Sequence, residues 1–256
     1  MYRKTRGPFV ASALPPLCPV HRPLLAAALD EAATHARTSP LDGLLARLDA
    51  ETDQVTFALG ADDLRPYTWA GFSVTPRSTY LLDLTGDVEA GFSASARRTA
   101  RRHSADYDLV EDPALAPEAV RLMIESYARQ GSALGLSEPA VVRLAEAFGA
   151  AGIARTFAAR TKGKTDAALV AATDGQTAHY WIAGSVPGPS MTVLVAHALR
   201  QFVEAGVATF DFVGANTPSI AEFKRRFGAR LAPAPIARRV SSRALRLAER
   251  LRGADS

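Results

Sequence analysis

Apolar residues recur every three or four positions over 117–130 and 138–150, with polar residues between them. This period is typical of an amphipathic helix with one buried face. The same spacing extends over 190–205, and Gly206 follows at the position that glycine favours after a helix. The pattern therefore predicts three long helices in the second half of the chain.

Between the second and third of these helices lie three short runs rich in aliphatic and β-branched residues, 153–160, 166–173 and 176–185. A polar turn separates the first two runs, and Asp174-Gly175, a dipeptide typical of tight hairpins, separates the next two. These features predict an antiparallel meander of three strands.

A strand at 208–213, a helix at 218–227 and an extended piece at 231–240 complete the predicted order. Helices followed by a meander and one helical crossover indicate an α+β fold. We therefore expect a mixed, mostly antiparallel sheet flanked by helices.

The first half of the chain contains two helical and three strand-like patterns, 22–36, 41–48, 55–59, 67–74 and 78–84. A further helix is predicted to begin at Thr85, a suitable N-cap, and to continue to about His103.

The chain has 256 residues, of which 48% are hydrophobic and 22% charged, so it can form one large or two small domains. Its net charge of +4 suits an anionic partner such as a nucleotide, coenzyme A or tRNA without requiring one.

The single cysteine, Cys18, excludes an internal disulfide framework. No run approaches the roughly 18 apolar residues of a membrane span, so we expect a soluble, cytoplasmic protein.

One candidate binding element is the junction 184–190, where a predicted strand leads through Ser185 and Gly188 to a helix beginning at Ser190. The N-terminus of a helix presents free N–H groups and a partial positive charge, which suit a pyrophosphate. The alternative is an ordinary connection that uses glycine and proline for its turns.

A second candidate follows the strand that ends at Asp211, where Gly214 and Asn216 lead into a helix carrying Phe223 and Lys224. A lysine at a strand end can stabilise a developing oxyanion or bind a phosphate. The alternative is an amphipathic helix with solvated cations.

One side of a predicted helix carries four arginines, Arg97, Arg98, Arg101 and Arg102, which could bind phosphates. The alternative is structural, because the helix dipole favours cations near the C-terminus.

In the strand before the junction, alternation predicts one of Tyr180 and Trp181 in the core and the other, beside His179, in a groove.

Several common motifs are missing from the sequence. Gly-Lys-Thr at 163–165 lacks the first glycine of a phosphate-binding loop, since Ala158 stands there, and it lies in a predicted hairpin. The five histidines have no zinc-ligand spacing, and no Gly-x-Ser-x-Gly nucleophile elbow is present. No metal site is therefore predicted.

Two sets of residues carry a family resemblance. Tyr80-Leu-Leu-Asp-Leu84 followed by the arginine-rich helix resembles the entry of Fem-like domains. A second series of motifs resembles the C-terminal half of these domains. It consists of Tyr180-Trp181, Gly184-Ser185, a long helix, Phe210-Asp-Phe212, Pro218-Ser-Ile220, Phe223-Lys224 and Phe227-Gly-Ala229. Together these segments resemble the Fem-like and BioF2-like acetyltransferase domains of the GNAT superfamily over residues 78–232.

The resemblance implies transfer of an acyl or aminoacyl group to a small-molecule or peptide amine. The donor would be acetyl-CoA or another acyl-CoA, or aminoacyl-tRNA, lying between the strands at 176–185 and 208–213. In Fem enzymes a Phe-Lys pair serves the tRNA acceptor end, and Phe223 and Lys224 occupy that pair here. Asp211 and His179 are candidates for a general base by position.

The predicted divisions are a shortened N-terminal α/β half-domain over 1–77, a Fem-like GNAT domain over 78–240, and a basic C-terminal helix and tail over 241–256. The full second half and the coiled-coil arm of longer Fem proteins are absent from this chain. The alternative function is a non-catalytic module that binds RNA or a phosphorylated ligand through its arginine-rich helix.

Overall fold

The computed structural model describes residues 3–12, 17, 40–59, 64–132 and 135–253. The helix predicted over 22–36 and Cys18 lie outside these residues. The strands in the described chain are β1 Arg3–Arg6, β2 Phe9–Ser12, β3 Gln54–Ala58, β4 Ser73–Thr75, β5 Ser78–Asp83, β6 Asp108–Glu111, β7 Ala154–Thr161, β8 Lys164–Thr173, β9 Thr177–Ser185, β10 Thr209–Asp211, β11 Arg230–Pro233 and β12 Ile236–Val240. The helices are α1 Pro40–Glu51, α2 Arg65–Trp69, α3 Ala94–His103, α4 Ala116–Arg129, α5 Glu138–Ala150, α6 Ser190–Glu204, α7 Pro218–Arg225 and α8 Arg243–Gly253.

The chain divides into two compact units, one of residues up to 78 together with 233 onwards, and one of residues 79–232. The first unit holds a five-stranded sheet in the order β1-β2-β3-β12-β4. Its core is an apolar cluster, of which Leu45, Leu48, Phe57, Tyr67 and Phe72 are members. The chain therefore returns to its first unit after residue 232.

The second unit holds a seven-stranded sheet in the order β11-β5-β10-β9-β8-β7-β6. Strands β6 to β9 form antiparallel pairs, whereas β10 lies parallel to β9 and antiparallel to β5. The only parallel pair among these follows the α6 crossover, as such a pair requires. This arrangement confirms the predicted α+β fold with a mixed, mostly antiparallel sheet.

Both faces of the larger sheet are buried along the meander, where alternate residues point to opposite sides. Phe157 and Leu169 belong to the core cluster beneath α6, while Ala158 and Val170 are fully buried on the opposite side. A strand that is covered on both faces is apolar at nearly every position. The aliphatic runs in the sequence therefore correspond to strands covered on both faces.

Two predicted elements of the first half are wrong. Residues 67–74, predicted as one strand, form the end of α2 and then β4, because Pro66 favours the first turn of a helix and Gly71 adopts a left-handed φ of 80°. Thr85 does not cap a helix, since its N–H and hydroxyl both bond to Asp83. Helix α3 begins instead after Ser93, whose Oγ accepts the N–H of Ala96 at 3.2 Å.

The extended piece predicted over 231–240 is divided between the two sheets. Its first part pairs as β11 in the larger sheet and its second part as β12 in the smaller one. Pro233 and Pro235 lie at the division, and neither has an N–H to continue a ladder. Among the described helices, none has both the length and the apolar character of a membrane-spanning segment.

Candidate active site

A cleft opens in the larger unit where two parallel strands separate. Pairing of β9 with β10 runs from Thr177 and Thr209 to His179 and Asp211. Strand β9 then continues to Ser185, whereas β10 ends at Asp211. The cleft has a volume of about 740 Å³, and its walls come from α4, β9, the loop after β9, the first turn of α6, and α7 with the segment before it.

Tyr180 and Trp181 both line this cleft, because β9 contains a β-bulge at this point. Val170 pairs with Ile182 and Ala171 with Tyr180, so Trp181 is the extra residue. The ring of Trp181 stacks on Phe148 with centroids 4.7 Å apart, and the hydroxyl of Tyr180 donates to Met191 Sδ at 3.4 Å. Simple alternation, which predicts one residue in the core and one in a groove, does not hold across a bulge.

Helix α4 packs against β9 at a glycine. A Cβ atom at Gly184 would lie 2.1 Å from the carbonyl carbon of Leu122, closer than any side chain tolerates. Because the helix lies so close to the strand here, Ser126, Tyr127 and Arg129 of its second half reach the cleft wall.

The loop after β9 leads directly into the N-terminus of α6. Gly188, in a positive-φ conformation, lines the cleft together with Met191 and Thr192 of the first turn. N–H groups in a first turn have no intrahelical acceptor, so this end of the helix favours an anion. Ser190 itself is buried, and its Oγ lies 3.5 Å from the carbonyl oxygen of Asp166 rather than on the cleft surface.

Arg129 borders the same loop from the α4 side. Its Nη2 donates to Ser126 Oγ at 2.8 Å and to the carbonyl oxygen of Ser185. These bonds hold the exposed guanidinium beside the loop, and the resulting positive charge adds to that of the helix N-terminus. The cleft wall is therefore built to attract a negatively charged group.

Lys224 reaches the cleft, but only 5% of it is exposed. Its Nζ donates to the carbonyl oxygens of Phe212 at 2.5 Å and Gly214 at 2.8 Å, and to that of Val213. The ring of Tyr180 covers it, with Nζ 5.2 Å from the centroid. Burial lowers the pKa of Lys224 from 10.5 to about 8, and the nearby Asp211 carboxylate opposes this shift.

Asp211 lies behind the cleft wall and does not line it. Its Oδ1 accepts the N–H of Val213 at 2.8 Å and the hydroxyl of Thr79, and its Oδ2 lies 3.4 Å from His179 Nδ1 without hydrogen-bond geometry. Burial favours a raised pKa for Asp211, but His179, Thr79 and the N–H of Val213 together outweigh burial and lower it. The carboxylate is therefore ionised and already paired.

The structure brings together most residues predicted for the site. The cleft is lined by Tyr180, Trp181, Ser185, Gly188, Gly214, Asn216, Phe223 and Lys224. Asp211 and Ser190 are buried next to it. Sequence reasoning missed Ser126 and Arg129, because no local motif connects α4 with the strand and loops that follow much later in the chain. Thr192 and Ser219 also line the cleft, within segments that the sequence did indicate.

The arginine cluster does not reach the cleft. Arg97 and Arg101 line a separate cavity of about 430 Å³ between α3 and α6, and Arg98 is exposed on the surface of α3. Arg97 Nη2 donates to the carbonyl oxygen of Phe92 at 2.8 Å, while its Nε is buried without an acceptor. Within the described residues, no three His, Cys, Asp or Glu side chains come together as metal ligands would.

Solved structures that resemble this chain show the same fold. FemX superposes with a TM-score of 0.63 at 12% identity, covering 92% of this chain and 82% of its own. L-PGS from Bacillus licheniformis gives a TM-score of 0.57 at 14% identity over 81% of this chain and 74% of its own. A tandem GNAT protein from the clavulanic acid biosynthesis pathway gives 0.52 at 16% identity over 78% of this chain and 70% of its own.

Comparison with curated protein sequences gives no match. The family model described as an acetyltransferase (GNAT) domain matches residues 90–225, which include α3, the meander, α6 and α7. These residues make up more than half of the 256-residue chain and contain most of the cleft wall. The chain thus belongs to the GNAT acetyltransferase family.

Proposed function

We propose that this protein transfers an acyl group from an acyl-CoA to an amine, with the donor in the cleft between β9 and β10. The observation that carries the proposal is the open cleft at the point where the two strands separate. Beyond His179, β9 has β8 on one side only, and the described chain supplies no strand on the other.

An unoccupied strand edge favours a donor with amide groups in an extended arm. Alternate N–H and C=O groups of such an edge point towards the cleft and can pair with an extended ligand as a further strand would. The arm of coenzyme A has two amides and ends in phosphates. Arg129 and the first turn of α6 lie at one end of this edge and suit those phosphates.

In the transfer, the acceptor nitrogen attacks the acyl carbonyl carbon and the carbon–sulfur bond breaks. The proton released by the amine passes to the departing thiolate or to solvent. Asp211 already accepts two hydrogen bonds behind the cleft wall, and neither Asp211 nor His179 lines the cleft, which makes either a poor general base. We infer that Tyr180, Trp181, Asn216 and Phe223 contact the acyl group or acceptor from the cleft wall.

Aminoacyl-tRNA is the other donor that the Fem-like resemblance implies, with Phe223 stacking on its acceptor end. A non-catalytic module is less well supported, because the cleft is open rather than filled by side chains.

Calorimetry with acetyl-CoA and filter binding with charged tRNA test these proposals, followed by product analysis with a panel of small-molecule and peptide amines. We expect acetyl-CoA to bind and acylated amine to form. Binding of charged tRNA without binding of acetyl-CoA would indicate an aminoacyltransferase instead. Binding of neither donor would refute the enzymatic proposal.

A further inference from the structure

The backbone bends sharply away from β9 immediately after β10. Val213 has a φ of 48° and Gly214 a φ of 57°, so two consecutive residues adopt the left-handed conformation. A β-branched residue rarely occupies this region and does so only where surrounding contacts hold it. The bend is therefore maintained by something other than local preference.

Those contacts come from Lys224. Its three ammonium hydrogens are matched by three consecutive carbonyl oxygens, those of Phe212, Val213 and Gly214. The same carbonyls lie just beyond the last β9–β10 pair, where the bend removes the acceptor groups of β10 from the sheet. One buried ammonium therefore supplies the hydrogen bonds that the separated strand has lost.

The other side of the bend is held by Asp211. Its Oδ1 accepts the N–H of Val213 at 2.8 Å, and Thr79 fixes the carboxylate from β5. Val213 is thus held at its N–H by an anion and at its carbonyl by a cation. Opposite charges on the two sides of one peptide segment oppose its rotation back towards β9.

We propose that Lys224, together with Asp211, is a positioning residue that fixes the bend at Val213–Gly214 and keeps the strands apart. The proposal rests on the proposed function only in taking the cleft as the donor site. Lys224 acts through the backbone rather than by contact with the acyl group, since its three hydrogens bond carbonyls and Tyr180 lies over it.

Hydrogen–deuterium exchange of the full chain tests the bend without any ligand. In Lys224→Met we expect amides of residues 212–217 to exchange about tenfold faster, because the bend opens locally. Helix α6 keeps its exchange rates, and the exposed hairpin variant Lys164→Met matches the wild type throughout. Lys224→Arg does not restore protection, since a planar guanidinium cannot direct three donors at three adjacent carbonyls.

If Lys224→Met does not fold, the milder Asp211→Asn serves as the second variant. It removes the charge opposite the ammonium and is expected to raise exchange of the same segment about threefold. Unchanged exchange at 212–217 in whichever of these variants folds overturns the proposal.

Donor binding and turnover separate a positioning role from a direct one. If Lys224 acts by positioning, Lys224→Met weakens acetyl-CoA binding about tenfold. Adding Val213→Gly to that variant recovers much of the affinity, because glycine adopts the bend without support. A fall in kcat with unchanged Kd and no recovery assigns Lys224 to the reaction itself. If the wild type binds no donor, the proposed function fails while the exchange result still decides the bend.

Discussion

The cleft and the smaller cavity between α3 and α6, both in the larger unit, differ in how their cations are bound. In the cleft, Lys224 of α7 is 5% exposed and all three of its hydrogens bond backbone carbonyls. In the smaller cavity, Arg101 of α3 is exposed, and Arg200 from α6 forms an ion pair with Glu89 at 2.8 Å. Lys224 therefore shapes the cleft through the backbone, whereas Arg101 remains available to solvent.

This difference shows that a cation's role depends on the acceptors within its reach. A buried ammonium requires a complete set of acceptors, and backbone carbonyls supply it at Lys224 because β10 has left the sheet there. An exposed guanidinium is satisfied by water and contributes little to stability. Arg97 is intermediate, because Nη2 bonds carbonyls while Nε has no acceptor. Variants at the two cavities should therefore have very different effects.

The largest effect is expected for Gly184→Ala in the cleft wall. The new methyl group overlaps the Leu122 backbone, so α4 must move away from β9. We expect a loss of more than about 3 kcal/mol in the free energy of unfolding and of most donor binding. Urea unfolding and calorimetry measure both. Gly86→Ala at the smaller cavity is the control, since nothing lies within 4 Å of its Cβ position. Equal effects of the two variants would contradict the close packing.

The next effect is the pH dependence of stability that Lys224 confers. Burial lowers its folded pKa to about 8 from 10.5, so between these values the unfolded chain holds a proton that the folded chain has released. Stability from this group therefore rises with pH across that window, by at most about 3 kcal/mol. Unfolding free energies of wild type and Lys224→Met should diverge from pH 8 upwards, and parallel curves would show that this lysine has an ordinary pKa.

A smaller effect is expected for Arg129→Ala, which removes the exposed guanidinium beside the loop after β9. Loss of one charge-assisted contact should weaken acetyl-CoA binding about tenfold and leave the unfolding free energy nearly unchanged. Arg143→Ala, on the exposed side of α5, is the matched control for calorimetry. A donor affinity that is the same in both variants would remove Arg129 from the phosphate site.

The smallest effect on acyl transfer is expected for Arg98→Ala with Arg101→Ala on α3. Neither residue lines the cleft, so turnover should stay within about twofold of the wild type. A larger loss would show that the α3 surface takes part in the reaction. Filter binding with RNA at two salt concentrations tests the alternative function, because phosphate contacts weaken steeply with salt.

Much of the fold could be predicted from the sequence because its local patterns agree with its tertiary contacts. The period of α4, α5 and α6, the aliphatic runs of β7 to β9 and the hairpin at Asp174-Gly175 all persist in the structure. Predictions were wrong where local signals competed, as at Thr85, whose polar groups bond Asp83, and at Pro66, which begins a helix. The resemblance over residues 78–232 implies a donor between the strands at 176–185 and 208–213, and a cleft opens where β9 and β10 separate.

The sequence by itself determined the α+β order, the junction at Gly188, and the presence of Phe223 and Lys224 on a helix after a strand. These are properties of neighbouring residues, which the spacing of apolar positions and turn residues specifies. Only the tertiary structure decided that Lys224 is buried, that Asp211 is paired behind the wall, and that Arg129 borders the loop. Burial and hydrogen-bond partners depend on segments distant in the chain, and the bend that gives Lys224 its three acceptors forms only where β10 leaves β9.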